Sequence, residues 1–264
     1  MDSLLMEPLT SPAEDVILAR EVPVNLLAMR HQLVGHPEYL DMVLWSLDLG
    51  WVKPYITNKN PSANMPYHNA LHEAAVVVAV YEAAYFHNLD LTSTKALVIA
   101  AAFHDFNHIG NSPRAEEVFD AQNIKAAIAG LQLRNQHELI DDIELIKRLI
   151  RSTEYPYRNP PYDLLECILR DADTTMPFLN KTYALTLFMG LKRELIANFK
   201  LTGSAIDHER FTQGVTNFYS DLIPRSGWGR SLREHGAYTR RIDNLAMLLK
   251  ATPLFNVAMN QAKE

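Results

Sequence analysis

The chain has 264 residues, and its composition of 48% hydrophobic and 21% charged residues is typical of a globular protein, not of a disordered or fibrous one. A net charge of −6 argues against a nucleic-acid-binding protein, which would carry a basic surface, and leaves a small anionic substrate open. The single cysteine, Cys167, excludes an intramolecular disulfide and a zinc site built from thiolates. Because the chain has 10 histidines, a transition-metal site would use imidazole and carboxylate ligands.

Sparse glycine and a helical spacing of apolar residues predict an all-α protein. We expect residues 1–21 to form a loosely attached N-terminal arm and residues 22–264 to form a single compact domain of eight or more helices. In chain order, the predicted helices cover residues 22–49, 67–86, 93–106, 111–133, 137–153, 162–172, 177–199, 209–222 and 231–249, and a long loop covers residues 51–66.

The helix predicted over residues 93–106 should lie at the centre of the domain. Its segment 96–103 is apolar on all sides, which is typical of a fully buried helix, and Thr92 is a plausible N-cap. A buried strand is the competing interpretation of an apolar run of this length, and its three adjacent alanines disfavour a strand.

The sequence also predicts a cytoplasmic protein that does not enter a membrane. The longest apolar runs, residues 74–81 and 96–103, are far shorter than the ~20 residues that cross a bilayer. The first seven residues carry acids where a signal peptide carries basic residues.

Two groups of polar residues lie at the ends of neighbouring predicted helices. His68 and His72 open the first helix, and a spacing of four places both imidazoles on one helical face. His104 and Asp105 close the second helix, and His108 follows one turn later. A buried helix that ends in His-Asp must desolvate both groups unless something compensates them, and a divalent cation would do so.

A third acidic group, Asp171 and Asp173, follows the apolar segment 164–169. Each group alone is common in proteins that bind no metal. Their order along the chain, His, then His-Asp, then Asp, on segments predicted to be buried helices, favours a metal centre. Such ligands suit zinc, iron, manganese or magnesium.

These residues carry a family resemblance. The order of His72, His104-Asp105 and Asp173 resembles the HD-domain superfamily of metal-dependent phosphohydrolases. The longer motifs Tyr67-His68-Asn69-x-x-His72 and His104-Asp105-x-x-His108-x-Gly110 resemble the class I cyclic-nucleotide phosphodiesterases within it. Segment 150–154 is similar to that family's Thr-Asp segment, and Ala172-Asp173 to its Ala-Asp. The similarity runs from about Tyr67 to Pro177 and weakens toward Asp221.

The resemblance implies an all-α HD-domain bundle with a dinuclear metal site. It implies a first ion, Zn²⁺ or else Fe or Mn, ligated by His72, His104, Asp105 and Asp173. Asp105 would bridge to a second ion, Mg²⁺ or Mn²⁺. The outer groups that match the family are His108 and Thr153, which contact the second ion through water, with Tyr67 and Asn69 beside the ligands.

The resemblance also implies the chemistry. His68 matches the general acid of the family, and an imidazolium near acidic neighbours is suited to protonate a leaving alkoxide. A water shared by two cations at Asp105 would lose a proton near neutral pH and supply the attacking hydroxide. The first hypothesis is therefore hydrolysis of a 3′,5′-cyclic nucleotide, of the cAMP or cGMP type, to the 5′-monophosphate.

The sequence departs from the family pattern in two places. The family's Glu-Asn-His-His run is replaced by Gln122-Asn123-Ile124-Lys125, so an acid and a histidine are missing. The acids that could substitute are Glu116, Glu117 and Glu154.

The second departure concerns the glutamine that recognises the purine base in the family. Gln213 is the closest candidate, but Thr216 occupies the position of the family's base-clamping phenylalanine. Phe218 or Phe211 could serve instead. A surface glutamine beside core phenylalanines is an equal alternative for this segment.

Three other functions remain open. An HD phosphohydrolase acting on nucleoside monophosphates or other phosphate esters is the nearest alternative. An HD-fold diiron oxygenase would need more histidines than His108 and His137 between Asp105 and Asp173. A non-catalytic regulatory module would have lost ligands, and here all four are present.

The basic segment from Arg225 to Arg241 is either a phosphate-contacting flap or a solvated surface.

Overall fold

The computed structural model describes residues 52, 65, 67–68, 70–108, 119–134, 142–157, 159–175, 190–191, 193–194, 211, 213–215, 217–218 and 223–234. These residues form helices joined by turns, and they contain no strand, which confirms the all-α prediction for this part of the chain. The helices are α1 (Ala70–Phe86), α2 (Leu91–Phe103), α3 (Phe119–Arg134), α4 (Ile143–Ser152), α5 (Leu164–Thr175) and α6 (Gly227–Glu234).

Helix α2 lies at the centre of the packing, as predicted. It contacts α1, α3, α4 and α5, and every residue from Ala96 to Phe103 is buried. The side chains of the alanines at positions 100 to 102 are small and buried, which lets the neighbouring helices pack near the backbone of α2. The end of α2 is therefore enclosed by other helices, and the polar residues that follow it lie inside the molecule.

The starts of α1 and α2 differ from the prediction. Helix α1 begins at Ala70, not at residue 67, and the backbone N–H groups of Tyr67 and His68, which precede it, donate to the distant carboxylate of Glu194. The expectation that His68 and His72 share one helical face is therefore wrong. Helix α2 begins at Leu91 because Asp90, not Thr92, is the N-cap: its carboxylate accepts the N–H of Ser93 at 2.8 Å.

Three other boundaries also move. Helix α4 begins at Ile143, not at 137, because Asp142 caps it from a left-handed conformation (φ 42°). Helix α5 continues to Thr175, so Asp173 lies within the helix and not beyond its end. Helix α6 begins at Gly227, four residues earlier than predicted. The predicted helix over 22–49, the N-terminal arm (1–21) and residues 235–249 lie outside the described residues, so the domain boundaries stay predictions.

Helix α6 is attached to two of the helices that carry the polar groups. The carboxylate of Asp171 on α5 accepts hydrogen bonds from the N–H and the hydroxyl of Ser226, both at 2.6 Å. His87, at the end of α1, accepts the N–H of Trp228 at 3.1 Å, and the indole of Trp228 is buried in the core. Within the described residues, no helix is long and apolar enough to cross a membrane.

The packing between α3 and the turn after α2 can be tested at Gly130. A Cβ atom at this position would lie 2.3 Å from the Cδ1 atom of Phe106, which packs against the core. We expect Gly130→Ala to lower the free energy of unfolding by about 1–3 kcal/mol, despite the better helix propensity of alanine.

Gly214→Ala is the matched control, because a Cβ atom there meets nothing within 4 Å. Urea denaturation of both variants measures the effect. Equal stability of the two variants would contradict this account of the packing.

Candidate metal centre

Four side chains from three helix ends converge on one point. The Nε2 atom of His72 lies 3.1 Å from Oδ1 of Asp173 and 3.3 Å from Oδ2 of Asp105. The Nε2 atom of His104 lies 3.3 Å from the same Asp105 oxygen and 3.5 Å from the same Asp173 oxygen. Ligands at about 2.1 Å from a common ion are separated by about 3.0–3.4 Å, so this spacing fits a single bound cation.

The position of each ligand follows from the helix that carries it. His72 lies in the first turn of α1, and His104 is the C-cap of the buried helix α2, followed at once by Asp105. Asp173 lies in the last turn of α5, which packs against both α1 and α2. Three helices that contact each other therefore bring the four ligands to one place.

The orientation of His104 prepares it to bind a cation. Its Nδ1–H donates to the carbonyl of Ala101 at 2.7 Å, so in the neutral ring the lone pair is on Nε2. That Nε2 atom is buried and makes no hydrogen bond within the described part of the chain, although two carboxylate oxygens lie nearby. A buried nitrogen lone pair beside carboxylate oxygens is unfavourable unless a proton or a cation lies between them.

The charges of the cluster point to the same conclusion. Burial opposes the imidazolium form, yet Asp105 and Asp173 raise the pKa of His72 to about 9 and that of His104 well above its usual value. The two histidines in turn hold the pKa of each carboxyl well below its usual range, against the effect of burial. Two carboxylates here require about two positive charges, which two protons or one divalent cation would supply. The donor set of two imidazoles and two carboxylates fits zinc, iron or manganese.

Glu194 fixes the position of His68, and sequence reasoning missed it. Its Oε1 atom accepts the backbone N–H of Tyr67 at 2.6 Å and of His68 at 2.9 Å, and its Oε2 atom accepts Nδ1–H of His68 at 2.7 Å. Burial disfavours the ionised form, but these bonds lower the pKa of Glu194 below its usual value. No motif marks Glu194, because it lies 126 residues from His68 along the chain.

A second group of possible ligands lies beside the first. His68, Asp105 and His108 bring ligand atoms within 4.8 Å of one another. The rings of His68 and His108 stack nearly parallel, with centroids 3.7 Å apart. Burial and the neighbouring His68 lower the pKa of His108 to about 3, so His108 is neutral, and its Nε2 atom accepts the amide N–H of Asn123 at 2.8 Å.

Both groups open onto one cavity of about 400 Å³. Its polar wall contains His68, His104, Asp105, His108 and Asp173. The remaining lining residues are largely aromatic or aliphatic, and they include Tyr67, Ile124, Tyr155, Tyr157, Leu191, Phe211, Val215 and Phe218. A mostly apolar cavity with a few convergent polar groups is typical of a small-molecule site.

Asp120 and the loop after α4 form one side of this cavity. The carboxylate of Asp120 accepts the backbone N–H of Tyr155, and burial raises its pKa to about 6. Arg170 holds the same loop: its guanidinium donates to the carbonyl of Asn159 at 2.8 Å and lies over the ring of Tyr157. Sequence reasoning did not identify Asp120, because it belongs to no motif.

The other predicted site residues are distributed as follows. Thr153 lines the cavity at the end of α4, and its hydroxyl donates to the carbonyl of Ile150 at 2.8 Å. Phe218 and Phe211 line the cavity, whereas Gln213 is exposed and its amide donates to Asn217 at 2.6 Å. Glu154 is not among the lining residues. Three predicted site residues lie outside the part of the chain that the structure describes: Asn69, Glu116 and Glu117.

Comparison of the chain with models of known protein families finds no match, and no curated protein sequence matches it either. The geometry of the site therefore has to be interpreted from its own residues. It provides two adjacent groups of side chains that could hold a metal ion, on the wall of a cavity large enough for a small molecule.

The ligand assignment predicts the metal content of the protein. Protein purified without chelator should contain close to one tightly bound transition-metal ion per chain, measured by elemental analysis. His104→Ala should lose this ion, because it removes one of four ligands.

Asp90→Ala, at the opposite end of the same helix and exposed, should keep it. A wild-type protein that is helical and free of metal would show that the ligand assignment is wrong.

The raised pKa of Asp120 predicts a pH-dependent stability. Because its folded pKa of about 6 exceeds the ordinary value, its contribution to stability is complete below about pH 4 and is lost as the pH rises through 6. Asp120→Asn does not ionise, so the variant should gain stability relative to wild type between pH 4 and pH 7, by up to about 3 kcal/mol.

Urea denaturation of both proteins across this range provides the measurement. Asp163→Asn should give a stability difference that stays nearly constant between about pH 5 and pH 7. Partial burial opposes ionisation of Asp163, but Arg148 lowers its pKa, so the carboxyl is ionised in both folded and unfolded protein over that range. A stability difference for Asp120→Asn that does not change with pH would contradict the assignment.

Proposed function

We propose that this protein is a metal-dependent phosphodiesterase that hydrolyses a 3′,5′-cyclic nucleotide to the 5′-monophosphate. The observation that carries the proposal is the convergence of His72, His104, Asp105 and Asp173 beside a His68–Glu194 pair, at a cavity whose wall includes His68, His104, Asp105 and Asp173. The motifs around these residues resemble those of class I cyclic-nucleotide phosphodiesterases, within the HD-domain superfamily.

His72, His104, Asp105 and Asp173 would hold Zn²⁺, or Fe or Mn, and Asp105 would also hold Mg²⁺ or Mn²⁺, with His108 and Thr153 contacting that second ion through water. When bound, two such ions supply an activated water and neutralise the charge that develops on the phosphate. The protein contributes the fixed geometry. Asp105 lies 3.3 Å from both His72 and His104, and it also belongs to the group that contains His68 and His108.

His68 is placed to act as the general acid. Glu194 accepts its Nδ1–H, which leaves Nε2 to hold a second proton. The carboxylate of Glu194 fixes the ring, as an orienting acid does for a catalytic histidine. His108, stacked against His68, is neutral, so it adds no repulsive charge. His68 can then donate its Nε2 proton to the leaving 3′-oxygen.

The remainder of the cavity suits an ester that carries a planar ring. Aromatic side chains line it, and the rings of Tyr155 and Phe218 meet edge to face with centroids 5.6 Å apart. A volume of about 400 Å³ is in the range of small-ligand pockets. A cavity of this size suits a small phosphate ester and not a nucleic-acid polymer. We also propose that the enzyme is cytoplasmic.

One observation favours a second candidate, a phosphohydrolase that acts on nucleoside monophosphates or other phosphate esters. Gln213, the candidate for base recognition, is exposed and bonded to Asn217, and it is not among the cavity-lining residues. Recognition of a purine by this glutamine therefore has no support.

An activity panel separates these candidates. Metal-loaded protein is incubated with cyclic nucleotides, nucleoside monophosphates and bis(p-nitrophenyl) phosphate, and the products are identified by chromatography. We expect cyclic nucleotides to yield 5′-monophosphates. Cleavage of monoesters alone would reject the phosphodiesterase and support the second candidate.

The role of His68 predicts a dependence on the leaving group. His68→Asn should keep the tightly bound ion but lower turnover of a cyclic nucleotide by about 10²–10⁴, because an alkoxide leaves poorly without a proton. For bis(p-nitrophenyl) phosphate the loss should be much smaller, since p-nitrophenolate leaves without protonation.

Glu194→Gln should lower turnover less than His68→Asn and show the same dependence on the leaving group. An equal loss for both substrates in His68→Asn would show that His68 is not the general acid.

A further inference from the structure

The cavity contains one carboxylate that the proposed reaction does not use. Among the described residues that line it, the carboxylates are those of Asp105, Asp173 and Asp120, and the first two belong to the ligand groups. Asp120 lies in the first turn of α3 and is partly buried. A carboxylate placed in a cavity beside an anionic phosphate would repel the ligand unless it had a specific partner.

Helix α3 places Asp120 on the wall of the same cavity as Asn123 and Ile124. Asn123 and Ile124 follow three and four residues later, so all three share one face of the helix. Asn123 contacts His108 of the metal centre at 2.8 Å. Asp120 therefore lies about one helical turn from the residue that touches the centre, and it lines the same cavity.

Apart from the two groups of possible metal ligands, the side chains that line the cavity are mainly apolar. They include Ile124, Tyr155, Phe211, Val215 and Phe218. Flat aromatic and aliphatic surfaces of this kind favour a planar heterocycle but do not distinguish one ring from another. Asp120 is the charged group in these surroundings, and it could supply that discrimination.

The hydrogen bonds of Asp120 leave one oxygen available. Its Oδ2 atom accepts the backbone N–H of Tyr155, whereas its Oδ1 atom accepts no hydrogen bond from any residue that the structure describes. An ionised carboxylate only accepts hydrogen bonds, so its natural partner on a ligand is an N–H or O–H donor. A carbonyl oxygen at the same position would be repelled.

We propose that Asp120 selects the base of the substrate by accepting, at Oδ1, a hydrogen bond from an exocyclic amino group. This inference rests on the proposed function, because it takes the ligand to be a nucleotide whose phosphate lies at the metal centre. The backbone N–H of Tyr155 fixes the carboxylate, and the apolar walls hold the ring against it. A base that lacks the amino group leaves the buried carboxylate without a partner.

Calorimetric titration of the metal-loaded full chain with nucleotide pairs that differ only by one amino group tests this proposal. The pairs are AMP and purine riboside 5′-monophosphate, GMP and IMP, and CMP and pyrimidin-2-one riboside 5′-monophosphate. In at least one pair, we expect the amino-bearing nucleotide to bind about 10–100-fold more tightly, as is typical of a hydrogen bond to a charged group. The pair that shows the difference identifies the base.

Two variants show which residue causes the preference. In Asp120→Asn, the amide oxygen can still accept the N–H of Tyr155, but an NH₂ group replaces Oδ1, so the ratio within the pair should fall to near one or reverse. Asp142→Asn is the matched control, because Asp142 caps α4, is exposed and does not line the cavity. It should keep the wild-type ratio.

Equal binding within all three pairs by the wild-type protein would overturn the proposal. So would an Asp120→Asn variant that weakens both members of each pair by the same factor, since the carboxylate would then act only on the loop or on the phosphate. Turnover of bis(p-nitrophenyl) phosphate is measured on the same preparations. Its absence would contradict the proposed function, while the binding ratios would still decide the role of Asp120.

Discussion

Two enclosed carboxylates, those of Asp105 and Asp173, set the constraint on which the described part of the fold depends. They lie at the meeting point of three helices, where charge is costly unless it is compensated. His72 and His104 aim their Nε2 atoms at the same two oxygens and so complete a cluster that accepts two positive charges. Helix α2 has to be apolar on all sides, because only a buried helix delivers its last residues into this cluster.

The four proposed ligands were predicted chiefly through the family resemblance of the motifs that carry them. His104 and Asp105 follow an apolar helix, which marks them as buried polar groups, whereas the choice of His72 and Asp173 rests on the resemblance. The helix boundaries were less predictable. At the start of α2 two residues could serve as N-cap, and Asp90 does so because its carboxylate reaches the N–H of Ser93.

The features that were missed depend on contacts between distant parts of the chain. Glu194 accepts the backbone N–H groups of Tyr67 and His68, which precede α1, and no local pattern predicts such an interaction. Asp120 is likewise an ordinary helix-start acid in the sequence, and only the fold places it in the cavity beside Tyr155. The residues proposed to orient or to select were therefore hidden, whereas those proposed to bind a metal were visible.

The tie between Asp171 and helix α6 also determines how the protein can be shortened. Asp171 lies two residues before the ligand Asp173, and its carboxylate is satisfied by Ser226 and by the N–H of Arg225. Gly229 packs so closely on Asp171 that a Cβ atom there would lie 2.4 Å from Oδ2. A fragment that ends before residue 225 would remove the hydrogen bonds that Asp171 accepts from Arg225 and Ser226. Any minimal expression fragment therefore has to extend through α6, although α6 contributes no ligand.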